Sequence, residues 1–255
     1  MTGADEIRRA AAAWAWFPRG NESVRGRLQL VRYPSRFGGG VTASQADSSN
    51  DAATVVDEVV HRTRVWGEAQ IRFWVSAVDS PHLEDELRRR GAVHQDSVTI
   101  LARPLSCEPV VVPDDVTTEV VRTREQVVEI DAVNVSVWEQ SSLDDDGIDA
   151  ELAEVSDALT RGAGARVLGR IDGRPVSTGG FTVVDGFARL WGAATLADAR
   201  GRGAYRAVLA ERMRRAAGMG ATTALVKGRI ATSAPVLERA GFRRFGEERV
   251  YLLNL

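Results

Sequence analysis

Residues 165–195, "ARVLGRIDGRPVSTGGFTVVDGFARLWGAAT", contain two Asp-Gly dipeptides, Asp172-Gly173 and Asp185-Gly186, each set between runs of strand-like composition. Asp-Gly suits the two-residue hairpin turn in which both central residues need positive φ. The stretch therefore predicts three consecutive antiparallel strands, which constrains the fold more than any other part of the chain. Upstream, "TTEVVRT" reads as a strand. "EQVVEIDAVNVSVW" has helical spacing through Val127, Ile130, Val133, Val137 and Trp138. "SSLDDDGIDAELAEVSDAL" reads as an acidic loop followed by an amphipathic helix. Downstream come a long helix, the strand "TTALVKG", the short helix "SAPVLERAG" and a last strand, "RVYLLNL".

A seam lies at "RPLSCEPVVVPDDV", residues 103 to 116, where three prolines follow the strand-like "SVTILARPL". It places a boundary near residue 110, giving halves 1–110 and 111–255. The N-terminal half has a fainter copy of the C-terminal ending. "GGGVTASQ", "NDAATVVDEVVHRTRVW", "QIRFWVSAV", "SPHLEDELRRRGA" and "SVTILARPL" read as strand, helix, strand, helix, strand, the order of residues 187 to 255. We read this as an internal repeat.

The two copies differ most at "ADARGRGAYRAVL". Here Gly201 and Gly203 lie between Arg200, Arg202 and Arg206, where a helix begins. A helix start leaves about four backbone N–H groups unpaired and carries roughly half a positive charge. Glycines before it let the backbone approach a ligand closely, and arginines add charge and forked donors suited to phosphate. The alternative is an ordinary solvated turn. Arginines at a helix N-terminus oppose its dipole, however, and an anion would relieve that, so the pattern favours an anion cradle, most simply for a pyrophosphate. The first copy has "ADSSNDA" at this place, with Asp47 and Asp51 and no arginine, so it is not expected to bind phosphate. "GRGAYR" lacks the third glycine of a dinucleotide fingerprint, and no Gly-Lys-Ser/Thr follows as in a P-loop.

Composition removes other classes. A formal net charge of −2 gives no general attraction to nucleic acid or anionic membranes. Glu211 also interrupts the basic helix. No apolar run approaches the roughly 20 residues that span a bilayer, and the N-terminus does not read as a signal peptide. Three scattered histidines and one cysteine offer no metal-ligand spacing. The single Cys107 cannot form an internal disulfide, which fits a reducing cytoplasm. His61, His82 and His94 all belong to the half without the arginine-glycine loop, where packing or surface roles are the default.

"TLADARGRGAYRAVL" resembles the acyl-CoA-binding motif of the GCN5-related N-acetyltransferases, in which Arg/Gln-x-x-Gly-x-Gly/Ala opens a helix. Arg200 and Gly203 match it, and Tyr205 stands where Gly or Ala is usual. "TSAPVLERAGF", residues 232 to 242, resembles the family's later motif, a short helix ending in Gly-Phe. The resemblance covers roughly residues 116 to 255, and the N-terminal half then looks like a degenerate acetyltransferase-like half, as in tandem members.

It implies an α/β fold with a mixed, mainly antiparallel sheet flanked by helices. It also implies transfer of an acetyl group from acetyl-CoA, as co-substrate, directly to an amine, with no metal. Acetyl-CoA would enter between splayed strands. Main-chain groups of Ala194, Thr195 and Leu196 would pair with the pantetheine. The backbone of Arg200, Gly201, Arg202, Gly203, Ala204 and Tyr205 would hold the pyrophosphate, with Ser233 the nearest polar residue in the later motif. Trp138 and Glu139 would border the acceptor pocket, where a carboxylate either meets an ammonium or is a solvated loop charge.

The sequence departs from the pattern where many members use a tyrosine as general acid, because Leu237 occupies that position. The candidate central strand "ARLWGAATL" offers no base either, so catalytic residues stay unassigned. Trp191 reads as core, the Tyr205 ring as packing against the sheet, and Asp144 to Asp146 as a solvated loop able to steer a cationic acceptor. A non-catalytic acyl-CoA sensor remains the rival reading.

Overall fold

The computed structural model describes residues 2–17, 21–25, 28–44, 51–76 and 81–255. The elements in chain order are α1 (Ala4–Ala12), β1 (Ser23–Val24), β2 (Gln29–Arg32), β3 (Val41–Ser44), α2 (Ala52–Val65), β4 (Gln70–Ser76) and α3 (Pro81–Arg89). Then follow β5 (Val93–Pro104), β6 (Val116–Val120), α4 (Arg124–Trp138), α5 (Asp145–Thr160), β7 (Gly164–Ile171) and β8 (Arg174–Val184). The chain ends with β9 (Phe187–Thr195), α6 (Ala204–Gly218), β10 (Thr223–Arg229), α7 (Ser233–Arg239) and β11 (Arg243–Asn254). Asp47 lies outside the described residues.

Residues 102–226 form one compact unit. Its strands lie in the order β10-β9-β8-β7-β6, antiparallel except for β9 and β10, which run parallel. Both Asp-Gly turns form the expected hairpins, with φ of 52° and 78° at Asp172 and Gly173 and of 50° and 78° at Asp185 and Gly186. The capping box of α4 satisfies two orphan donors reciprocally, the Thr123 side chain accepting from the Gln126 N–H and the Gln126 side chain from the Thr123 N–H. One face of the sheet packs its Leu168 with Val127 and Ile130 of α4 and Ile148 and Val155 of α5. On the other face α6 lies against β7, β8 and β9.

The acidic run at 144–146 is solvated, as its composition suggests, but it opens a helix rather than forming a loop. The Asp144 side chain caps α5 by accepting from the Gly147 N–H at 2.9 Å. Asp145 and Asp146 occupy the first turn, where negative charge complements the helix dipole, and Asp145 pairs with Arg124 of α4.

Residues 2–101 together with 227–255 form the second compact unit, with the strand order β1-β2-β3-β4-β11-β5. The units therefore differ from a division near residue 110, because the last segment of the chain packs with the first. The reason is a seven-residue antiparallel register between β11 and β4, from Glu248 opposite Ser76 to Asn254 opposite Gln70. It carries Tyr251 and Leu253 into a core with Leu30, Val41, Val59 and Phe73. Strand, helix and parallel strand recur in both units, as β3-α2-β4 and as β9-α6-β10.

Residues 111–255 expressed alone would leave β11 without β4 and expose its apolar face. Their soluble yield should fall well below that of the full chain and recover on co-expression with residues 1–110. Equal yield and equal monodispersity for the fragment alone would contradict this account.

Candidate functional site

Strands β9 and β10 pair at only three positions, Phe187 with Thr223, Ala188 with Ala224 and Arg189 with Leu225. Beyond Arg189, β9 continues without that neighbour to Thr195. Its other edge remains tied to β8, but with a bulge: Gly180 faces Trp191 and Thr178 faces Ala194, so β8 advances two residues while β9 advances three. The extra residue is accommodated at Gly192, with φ of 59°. A bulge re-aims backbone groups and ends regular pairing, and this one sits where β10 has left.

Past β9 a short 3-10 turn, Ala197–Ala199, leads to the arginine-glycine loop. Gly203 is the N-cap of α6 with φ of 86°, and no side chain caps the first turn. The N–H groups that open the helix therefore have no intrahelical acceptor and no capping oxygen. Arg200, Arg202 and Arg206 are all exposed around them. Arg202 leans towards Asp115 at 3.3 Å and Asp172 at 3.7 Å. Arg200 donates to the Thr195 carbonyl at 3.3 Å, bracing the end of β9. Among the described residues neither Arg200 nor Arg206 has a carboxylate partner. The two glycines have different reasons: a Cβ on Gly201 would meet open space, whereas one on Gly203 would lie 2.4 Å from Pro113 Cγ.

The strand residues expected to pair with a pantetheine divide. The Leu196 N–H donates to the Val176 carbonyl at 2.9 Å and its own carbonyl accepts from Ala199 at 3.0 Å, so its main chain is spent inside the protein. Its side chain packs with Val116, Ile171 and Ala204. The Ala194 carbonyl accepts the Ser177 hydroxyl at 3.0 Å. Strand alternation then turns the N–H of Thr195 away from β8. Ser233 lies in the other compact unit, where its hydroxyl accepts from the Arg229 N–H at 2.8 Å. Leu237 is fully buried there as a core residue.

Two buried arginines, which the sequence reading missed, flank the bulge. Arg166, Gly180 and Trp191 form one register row across β7, β8 and β9. Because a Cβ on Gly180 would lie 2.4 Å from the Trp191 ring, only glycine there lets the indole lie across β8. The Arg166 guanidinium then sits 4.9 Å from the ring centroid and 3.5 Å from Glu151 of α5. From the opposite face Arg212 of α6, 1% exposed, enters over Gly179, where a Cβ would lie 2.9 Å from its Cζ. Arg212 donates to the carbonyls of Gly180 at 3.2 Å and Trp191 at 3.4 Å. The Tyr205 phenol lies near the Arg212 guanidinium, and its pKa is pushed up by burial against the pull of the Arg212 charge. The glycine pair 179–180 was the available signal, since two adjacent glycines inside a strand mark close approach on both faces.

Trp138 and Glu139 end α4, both exposed, with Glu139 in the left-handed region at φ of 52°. The loop after them is pinned by buried Asp131, which accepts from the Leu143 N–H at 3.0 Å. Cys107 is exposed. Tyr251 is committed to the second unit, where its hydroxyl donates to Glu84 at 2.5 Å. Burial alone would raise the Glu84 carboxyl, but Tyr251 and Arg249 hold it below the usual carboxylate range. Among the described residues no helix is long and apolar enough to cross a membrane, and no group of three or more His, Cys, Asp or Glu side chains is placed to hold a metal.

No family model matches the sequence, and a comparison with curated proteins finds no match. Solved structures do match. A GCN5-related N-acetyltransferase from Kribbella flavida superposes with a TM-score of 0.68 at 20% identity, covering 98% of this chain and 95% of that one. This chain has the GCN5-related N-acetyltransferase fold. Another protein of that description, from Sphaerobacter thermophilus, gives a TM-score of 0.68 at 15% identity over 89% of this chain and 76% of its own. A tandem protein of this fold from the clavulanic acid biosynthesis pathway gives 0.63 at 12% identity over 93% and 84%.

Within this acetyltransferase fold the two loop glycines should respond differently to alanine. Gly201→Ala meets only the cost of positive φ, about 1 kcal/mol. Gly203→Ala adds the collision with Pro113 and should lose roughly 2 kcal/mol or more. Denaturant unfolding checks this, and equal losses would show that Pro113 yields freely.

Proposed function

We propose that the chain is an N-acetyltransferase that moves an acetyl group from acetyl-CoA to an amine by direct transfer. One observation carries the reading: β9 parts from β10 next to a glycine-capped helix start whose N–H groups lack a cap. The loop from Arg200 to Tyr205 would hold the pyrophosphate, its open space at Gly201 admitting phosphate oxygens. Main-chain groups of Ala194 and Thr195 would pair with the pantetheine, and Trp138 and Glu139 would border the acceptor. Residues 111–255 supply the motifs, with 1–110 as a related half that binds no CoA of its own. In that half Asp51 is engaged as the N-cap of α2. We place the protein in the cytoplasm, acting without nucleic acid or membrane.

The neutral amine nitrogen attacks the thioester carbon, whose π electrons move to oxygen. Collapse re-forms the carbonyl, breaks the C–S bond and releases the thiolate, and the proton of the new ammonium passes to water. Leu237 supplies no proton to the thiolate. General acid assistance is typically worth about 10²–10⁴ in rate, so slower turnover is the expected consequence. The buried Leu237 is also the observation that favours the second reading, an acyl-CoA sensor without turnover.

Asn and Asp both tolerate positive φ better than other side chains. Gly201→Asn therefore controls for shape while Gly201→Asp adds charge. By calorimetry wild type should bind one acetyl-CoA per chain, and Gly201→Asp should bind at least about tenfold more weakly than Gly201→Asn, the Coulomb term for one misplaced charge near a phosphate. Equal affinities would place the cofactor elsewhere. Turnover with a panel of amines should rise with pH as the acceptor ammonium deprotonates, and should survive Cys107→Ser. Tight binding without turnover of any amine would leave the sensor.

A further inference from the structure

Arg212 is a fully buried guanidinium for which no carboxylate is in contact among the described residues, and its Nε has no partner there. An arginine cannot discharge itself by losing a proton, and a buried charge without a counter-ion is costly. The fold nonetheless makes room for it by leaving position 179 without a Cβ. Its Nη1 ends 3.4 Å from the Trp191 carbonyl oxygen, on the peptide that leads into the bulge.

That peptide is trans, as are all those described. Its N–H, belonging to Gly192, therefore points opposite to its C=O. The C=O faces Arg212 and β8, so the Gly192 N–H faces the side from which β10 has departed after Arg189. A positive charge at one end of an amide draws electron density towards the oxygen and makes the N–H a stronger donor, because hydrogen bonds in series polarise one another.

The resemblance to the GCN5-related N-acetyltransferases implies that a backbone N–H of this strand polarises the acyl carbonyl oxygen. We propose that Arg212 is the positioning residue for that donor, fixing the bulge and charging the Gly192 N–H as the oxygen becomes an oxyanion. The inference rests on the acetyl-transfer reading and deepens it. Arg212 touches no substrate itself. It acts through the Trp191–Gly192 peptide.

The test uses the full chain with Arg212→Met, which keeps the volume without the charge, Arg212→Lys, which keeps the charge on a shorter stem, and Gly179→Ala, which pushes the guanidinium from its place. Methionine removes the cost of burying a charge without a counter-ion, which offsets the two hydrogen bonds lost to the Gly180 and Trp191 carbonyls, so Arg212→Met should remain folded by its unfolding midpoint. Its kcat should fall at least about tenfold, part of the 10²–10³ that loss of an oxyanion donor costs. Its KM for acetyl-CoA should stay within about twofold of wild type, because oxyanion stabilisation belongs to the transition state. Arg212→Lys should recover part of the rate and Gly179→Ala should mimic Arg212→Met.

A second measurement is independent of the amine. Infrared spectra of bound acetyl-CoA, labelled with carbon-13 at the thioester carbonyl, should show a lowered carbonyl stretch in wild type that returns towards the solution value in Arg212→Met. An unchanged kcat and an unchanged stretch in the folded Met variant would overturn the proposal. So would a loss of kcat matched by an equal loss of acetyl-CoA affinity. If wild type binds acetyl-CoA but transfers to no amine, the transfer reading fails, and the infrared shift alone then decides the role of Arg212. If wild type binds no acetyl-CoA, both fall.

Discussion

Three residue pairs hold β9 to β10, and the character of the site follows from where that pairing stops. A central strand that loses one neighbour exposes a row of backbone donors and acceptors that nothing else in the sheet can satisfy. In most folds such an edge would be a liability. Here it is short, bounded at one end by the Gly192 bulge and at the other by Leu196, whose main chain is already spent within the protein. The unpaired stretch is thereby limited to a few residues and leads straight to the glycine-capped start of α6. Backbone N–H groups left along this edge and at the helix start suit the ligand proposed above, an extended, amide-bearing molecule that ends in an anion.

Local chemistry explains how much of this was legible beforehand. The three strands from Gly164 to Thr195 were readable because Asp-Gly turns act over two residues and need nothing from the rest of the chain. The loop at Gly201 and Gly203 was readable for the same reason, being a strand, a turn and a helix start in direct succession. Arg212 was not. By periodicity it is one polar position among several on α6, and its burial depends on Gly179, 33 positions earlier, coming beneath it through the α6–sheet packing. The Arg166, Gly180 and Trp191 row likewise exists only once the registers of two hairpins are known. Trp191 looked like core; it is half-buried and carries a guanidinium on its face. The boundary near residue 110 followed prolines, which report chain direction, whereas compact units follow strand pairing.

The pairing of β11 with β4 has its own consequence. The first unit's parallel pair, β9 and β10, and the second unit's, β3 and β4, share one topology, yet only the former is followed by arginines and glycines. In the second unit the place opposite β4 is taken by seven residues of β11. The cluster of buried Glu84 and Tyr251 with half-buried Arg249 then knits α3 to that strand, with both charges and the hydroxyl satisfied. A fully satisfied polar network specifies one arrangement and leaves no group over for a ligand. That cluster therefore spends its polar groups inside the second unit.

The groups left without partners around the arginine-glycine loop are almost all backbone, and this bears on how little the sequence shares with its structural neighbours. Main-chain N–H and C=O groups are supplied by any residue that holds the right φ and ψ. The side-chain requirements reduce to a glycine at Gly203, beneath Pro113, and small residues wherever two chains approach closely. A fold held mainly by main-chain geometry is compatible with an overlay at a TM-score of 0.68 and only 20% identity. Side chains are then free to differ where they tune rather than constitute the site. Tyr205, where the motif it resembles has a small residue, and the charge without a counter-ion at Arg212 are departures of that kind. Tyr205 and Arg212 both lie on α6, and Arg212 reaches the bulged strand, so what individualises this unit is the electrostatics imposed on a backbone whose fold is shared.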